Sequence, residues 1–144
     1  MKNEFFIHIR ITQCTSKVEV LKKLADKLAE NLQQIRAQEI FEEMMAREMI
    51  SDTALEKGLA LPHFIHEDNK VQLCIVTLAN EIHDWNCLDG SKVRLLLCLI
   101  IPKEYDEQTE GIAQLVKVMQ KLADSEFVAT LIDAPSKVIE EKLT

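Results

Sequence analysis

The chain has 144 residues, 47% apolar and 28% charged, with three glycines and three prolines; this is the composition of one soluble domain and excludes collagen-like or low-complexity chains. A net charge of −7 argues against a nucleic-acid binder, because phosphate contacts need a basic face. The longest uninterrupted apolar run, Leu95–Pro102, falls far short of the ~20 residues of a membrane helix, and no apolar core of a secretory signal follows Met1. Four cysteines, Cys14, Cys74, Cys87 and Cys98, form no CxxC. Cys74 and Cys98 lie inside apolar runs, where cysteine behaves as a small hydrophobe. The expectation is a cytoplasmic chain with reduced thiols.

In chain order, residues 4–11 are rich in strand formers and partly alternate, which predicts a strand. Ser16-Lys-Val-Glu19 is a capping-box pattern. Behind it Val18, Leu21, Leu24, Ala25, Leu28 and Leu32 recur at helical steps, so a helix is expected to about Leu32. A second helix is predicted over 37–49, with Ile40, Phe41, Met44 and Met45 on its apolar face. Lys57-Gly58 punctuates the chain. Leu59-Ala-Leu61 reads as a short strand stopped by Pro62. Val71–Ala79 is the next strand, and Asp89-Gly90 a turn. Val93–Ile101 is nearly all apolar, as in a central strand buried on both faces. After the acidic loop 103–110, the stripe Ile112, Leu115, Val116, Met119, Leu122 and Ala123 predicts a long helix. Two short helices, Ser125–Ile132 and Pro135–Leu143, close the chain, with Pro135 suited to a first turn. No repeat or linker divides it. Strands interleaved with helices imply one α/β domain over 1–144, its sheet covered by helices.

Nucleotide-binding, nucleophile-elbow and metalloprotease patterns are absent from the sequence, which leaves histidine as the candidate reactive group. Among His8, His63, His66 and His83, His63 stands out by context. It follows Leu59-Ala-Leu-Pro62, so it is carried at the rim of the sheet on a rigid element. From these residues alone, a half-buried structural histidine at a strand end is the plainer reading. His63-x-x-His66 has a spacing found in metal sites, but no Cys, Asp or Glu cluster supplies the remaining ligands, so no metal and no cofactor are expected. His83 reads as a solvated loop residue, with a second possibility considered below, and His8 is placed on the polar face of the first strand.

The stretch from Arg47-Glu through Thr53 to Gly58-Leu-Ala60-Leu-Pro62-His63 resembles the active-site segment of type-2 enzyme IIA (EIIA) domains of the sugar phosphotransferase system, the fructose, mannitol and nitrogen-regulatory EIIA proteins. Trp85 followed by Asp89-Gly90-Ser-Lys-Val93 is similar to the segment before that family's central strand. The Pro102 loop, the helix over 112–123 and Asp124-Ser-Glu-Phe-Val-Ala-Thr-Leu131 fall in the family's order, so the likeness spans nearly the whole chain. It implies a single-domain α/β fold, with a mixed sheet flanked by helices on both faces.

The resemblance also implies a function. The family's histidine takes a phosphoryl group from the phosphohistidine of the carrier HPr and passes it to a IIB component. By position His63 is the phosphoacceptor, and a neutral imidazole is a competent nucleophile near pH 7. Arg47 would neutralise charge on the phosphoryl oxygens through its planar donor fork; its alternative is a solvated charge at a helix C-terminus. Thr53 would donate a hydroxyl to the phosphoryl group or serve as a turn residue. The chain departs from the family at three points. Ala54 and Glu56 replace glycines, and Gly111 stands where a second active-site histidine is usual. Either His66, His83 or another residue substitutes for that histidine, or the protein is a regulatory EIIA-like binding module, nitrogen-type or from a sugar-responsive transcription regulator, with weak or no phosphotransfer.

Overall fold

The computed structural model describes residues 6–32, 35–50, 52–65 and 71–143, with the backbone alone at 63 and 64. Strand β1 (Phe6–Ile11) leads into helix α1 (Lys17–Asn31) and helix α2 (Ala37–Ile50). Strands β2 (Leu59–Ala60), β3 (His63–Ile65), β4 (Gln72–Leu78) and β5 (Leu95–Ile101) follow, then helices α3 (Ile112–Leu122), α4 (Ser125–Ala129) and α5 (Ser136–Leu143). The capping box forms as the sequence predicts. The Ser16 hydroxyl accepts from the Glu19 N–H, and the Glu19 carboxylate accepts from the Ser16 N–H, which satisfies two donors that a helix start leaves orphaned.

The strand order is β1-β4-β5-β2, with β3 also paired to β5. β1 runs parallel to β4, β4 antiparallel to β5, and β2 and β3 parallel to β5, so the sheet is mixed. Side chains alternate across it with period two. Cys74, Val76, Leu96, Cys98 and Ile100 pack with the α1 and α2 residues Leu21, Leu24, Leu28, Ile40 and Met44. Leu73, Ile75, Leu95 and Leu97 pack on the other face with Val118, Leu122, Val128, Ile139 and Leu143. Helices therefore cover both faces, and the two central strands are buried along most of their length, which is why Val93–Ile101 carries almost no polar alternation.

Three expectations change. Strand β2 stops before Pro62, as expected, but the edge resumes directly after it as β3, which the sequence does not announce. Pro62 lacks an N–H, but its carbonyl still accepts from Leu99 N at 2.9 Å, as an edge position allows, and pairing resumes at His63↔Leu99. The Ser125 helix stops at Ala129, earlier than expected; the Thr130 hydroxyl and N–H both turn back to the Phe127 carbonyl, a local bond that competes with helical continuation. His8 has no polar face to occupy. It is half-buried, with Nε2 2.9 Å from the Thr77 hydroxyl and Nδ1 against the Ser136 hydroxyl of α5. Residues 4 and 5 of the predicted first strand lie outside the described residues.

Candidate functional site

β2 and β3 form one edge strand interrupted at Pro62, and two hydrogen bonds fasten α2 and its exit turn along that edge. The Thr53 carbonyl accepts from Leu61 N at 3.0 Å, and the Glu43 carboxylate accepts from Ile65 N at 3.0 Å. Residue 43 thus sits beside 65 and residue 53 beside 61, so the two segments run in opposite directions. Arg47 is one helical turn past Glu43, on the same side of α2. Arg47 is exposed and makes no hydrogen bond or ion pair with a described residue. His63 is fixed by its register with Leu99. Sequence reasoning paired Arg47 with His63 by motif; the two hydrogen bonds tie the helix that carries Arg47 to the edge strand that carries His63.

Thr53 is arranged differently. Its hydroxyl donates to Glu48 Oε1 at 3.0 Å, so its hydrogen is already committed. Glu48 is buried and also receives the Lys17 ammonium at 3.0 Å. Lys17 lies 3.4 Å from Asp52 and 5.0 Å over the Trp85 ring. The Trp85 indole N–H donates to Asp52 at 3.0 Å. Partial burial pushes the Asp52 carboxyl up, but the Ala54 N–H, the Trp85 indole and Lys17 outweigh it and hold the group below its ordinary value. This network clamps the turn after α2. One signal for it was readable: Ile40, Met44 and Glu48 recur every four residues on one helix face, so the carboxylate had to point inward and find a cation.

The comparisons with known proteins settle the family. A family model described as "Phosphoenolpyruvate-dependent sugar phosphotransferase system, EIIA 2" matches residues 3–139. The chain belongs to this EIIA family. It is 31% identical over 109 residues to a nitrogen regulatory protein of Pseudomonas aeruginosa, covering 76% of this chain and 71% of that one. It is 31% identical over 121 residues to the 2-O-alpha-mannosyl-D-glycerate-specific EIIABC component of Escherichia coli, where it spans 83% of this chain but 18% of the relative. Among solved structures, the fold superposes on the nitrogen regulatory protein IIA-Ntr of Neisseria meningitidis with a TM-score of 0.80, at 20% identity over 98% of this chain and 97% of that one. It superposes on the mannitol IIA of E. coli with a TM-score of 0.66, at 17% identity over 100% of this chain and 99% of that one.

Within this EIIA domain, Gly111 is held by geometry. It precedes α3 with φ +94°, and a Cβ there would lie 2.4 Å from the Val71 carbonyl oxygen, inside van der Waals contact. The Val71 N–H in turn donates to the Glu110 carbonyl at 2.7 Å, so the backbone before α3 is stitched to the start of β4. His83 does not take the missing histidine's place. Its N–H donates to the Thr15 carbonyl and its own carbonyl accepts from Lys92, which puts it just ahead of β5. Gly111 borders Val71 near the far end of β5, where Gln72 pairs with Ile100, about six residues or roughly 20 Å along the sheet. Glu56, exposed in the turn before Gly58, also lies toward the β5 start. His66 falls outside the described residues, and no group of three His, Cys, Asp or Glu that could hold a metal occurs among the described residues. No helix there is long and apolar enough to cross a membrane.

Proposed function

We propose that this EIIA domain is a phosphohistidine carrier in which His63 accepts a phosphoryl group from phospho-HPr and hands it to a IIB component. On uptake the His63 imidazole nitrogen attacks phosphorus as the donor's N–P bond breaks, and on hand-over the His63 N–P bond breaks as the acceptor's nucleophile attacks. Little covalent work falls to the surroundings beyond alignment and charge neutralisation. Arg47 supplies the neutralising cation. Thr53 serves as a positioning residue through Glu48, and the other role open to it, donation to a phosphoryl oxygen, requires its bond to Glu48 to break. What supports this reading is the pair of hydrogen bonds, Leu61 to Thr53 and Ile65 to Glu43, that ties the helix carrying Arg47 to the edge strand carrying His63. Intact-mass spectrometry after incubation with phosphoenolpyruvate, enzyme I and HPr tests it. Wild type should gain about 80 Da (one phosphoryl group) and His63→Ala should gain nothing. No adduct on wild type, with the same partners active on another EIIA, sinks the proposal.

Gly111 favours a second reading, a nitrogen-type regulatory module whose phosphorylation state switches a protein contact. Missing one polar contact to the phosphoryl group costs on the order of 10²-fold in rate, tolerable in a switch and costly in bulk sugar transport. An adduct that forms slowly and passes to no IIB partner would select this reading over the first.

A further inference from the structure

Two adjoining hollows, the arms of one candidate site, lie at the other end of the edge strand, about four residues or roughly 13 Å from β3. One arm, of about 660 Å³, is lined by Lys57, Lys92 and Arg94, with Glu81 and Glu126 also on its wall. The second arm, of about 420 Å³, is walled by Leu55, Leu59, Leu88, Leu122 and Val128, with the acidic Glu56 also on its wall. Lys57 and Ser125 border both. Each arm falls in the range of ~300–1,000 Å³ typical of small-molecule sites.

Four features of these walls bear on a ligand. The basic arm carries an excess of positive charge in a chain of net charge −7. Its cations keep unused donors. Lys92 spends one bond on the His83 carbonyl, and Arg94 uses Nε on Leu78 and stands 3.7 Å from Asp133, while the Lys57 and Ser125 side chains make no hydrogen bond to a described residue. Lys57 holds a left-handed backbone, φ +54°, which a lysine adopts only when its surroundings impose it. Here the imposing contacts are the Lys57 N–H on Asp89 and the Gly58 N–H on the Ser91 hydroxyl. Leu88 in the apolar arm is 83% exposed although its backbone is anchored on Leu55. We propose that this site binds a small organic anion with an apolar body, its carboxylate or phosphate among Lys57, Lys92 and Arg94 and its hydrocarbon against Leu55 and Leu88. The assignment is independent of the role of His63.

The test is a backbone-amide NMR titration of the intact protein with octanoate, hexyl phosphate, inorganic phosphate and octyltrimethylammonium. Octanoate or hexyl phosphate should give saturable shifts at Gly58, Ser91, Ser125 and Val128, with a Kd of about 1 mM or tighter. Lys57→Glu and Leu88→Asp, both at exposed positions, should each weaken it about tenfold while spectral dispersion stays native. The stronger of the two organic anions identifies the headgroup as carboxylate or phosphate. Equal binding of the cationic probe overturns the basic arm, and inorganic phosphate matching hexyl phosphate overturns the apolar arm. Absence of saturation, shifts mapping elsewhere, or full affinity in the folded variants overturns the site.

Discussion

The Lys17 ammonium stands 3.0 Å from the Glu48 carboxylate, and both side chains are withdrawn from water, 17% and 3% exposed. This pair joins the first residue of α1 to the last turns of α2, and through the Thr53 hydroxyl it reaches the turn that leads into the candidate strand. Removing one partner of such a pair strands a buried charge. Lys17→Met is expected to lower unfolding stability by about 3 kcal/mol, read from urea denaturation. Lys17→Met combined with Glu48→Leu should recover part of the loss, because the double variant removes the buried unpaired carboxylate. Additive losses in the double variant would show that the pair is not coupled.

Arg47 differs because nothing among the described residues holds it, so its substitution should leave the fold alone. Arg47→Ala should unfold within about 0.5 kcal/mol of wild type yet lose on the order of 10²-fold in the rate of phosphoryl uptake from phospho-HPr. Arg47→Lys should recover little, since an ammonium lacks the planar fork that fits two phosphoryl oxygens. An unchanged rate in Arg47→Ala would remove the arginine from the mechanism.

Much of this arrangement was legible in the chain. The helices announced themselves by period and cap, and β5 by an apolar run too continuous for a one-sided strand. Gly58-Leu-Ala-Leu-Pro62-His63 with Arg47 upstream marked the site. What escaped depends on contacts between distant segments. β3 is three residues long and follows a proline, so its existence rests on β5 beside it rather than on its own sequence. Glu43 anchoring Ile65, and Lys17 meeting Glu48, link residues 22 and 31 positions apart, which no local period encodes. His8 looked like a polar-face residue because a single strand cannot show that α5 will cover it.

Gly111 invites a direct experiment. Were it only a lost catalytic residue, Gly111→His would restore function. The structure predicts damage instead, because any Cβ meets the Val71 carbonyl at 2.4 Å and φ is +94°. Gly111→Ala and Gly111→His should each destabilise by about 1–3 kcal/mol, measurable as a shift in the denaturation midpoint. A Gly111→Ala variant as stable as wild type would refute the steric account.

Burial, assisted by the Arg10 charge, holds the His8 imidazole below its ordinary value of 6.5. The unfolded chain then takes up a proton that the folded chain refuses, so stability is complete above about pH 6.5 and falls as pH drops below it. Unfolding free energies measured from pH 7.5 down to 5.5 should decline, and His8→Gln should flatten the decline. An identical slope in both proteins would assign the effect to other groups.

The acidic loop supplies a last test. Glu104, Asp106, Glu107 and Glu110 are exposed, and their loop leaves the sheet just beyond Ile101, the partner of Ile65 in β3. Four carboxylates next to the strand that carries His63 make a negative rim, suited to a carrier with a basic docking face. Encounter should then be steered by charge. The second-order rate of phosphoryl uptake from phospho-HPr should fall several-fold between about 10 mM and 150 mM salt, as the screening length drops from about 30 Å to 8 Å. Neutralising Glu104 and Glu107 to Gln should lower the low-salt rate and flatten its salt dependence, with no change in the mass gained on phosphorylation. A rate indifferent to salt in the wild type would mean that docking rests on apolar contact alone.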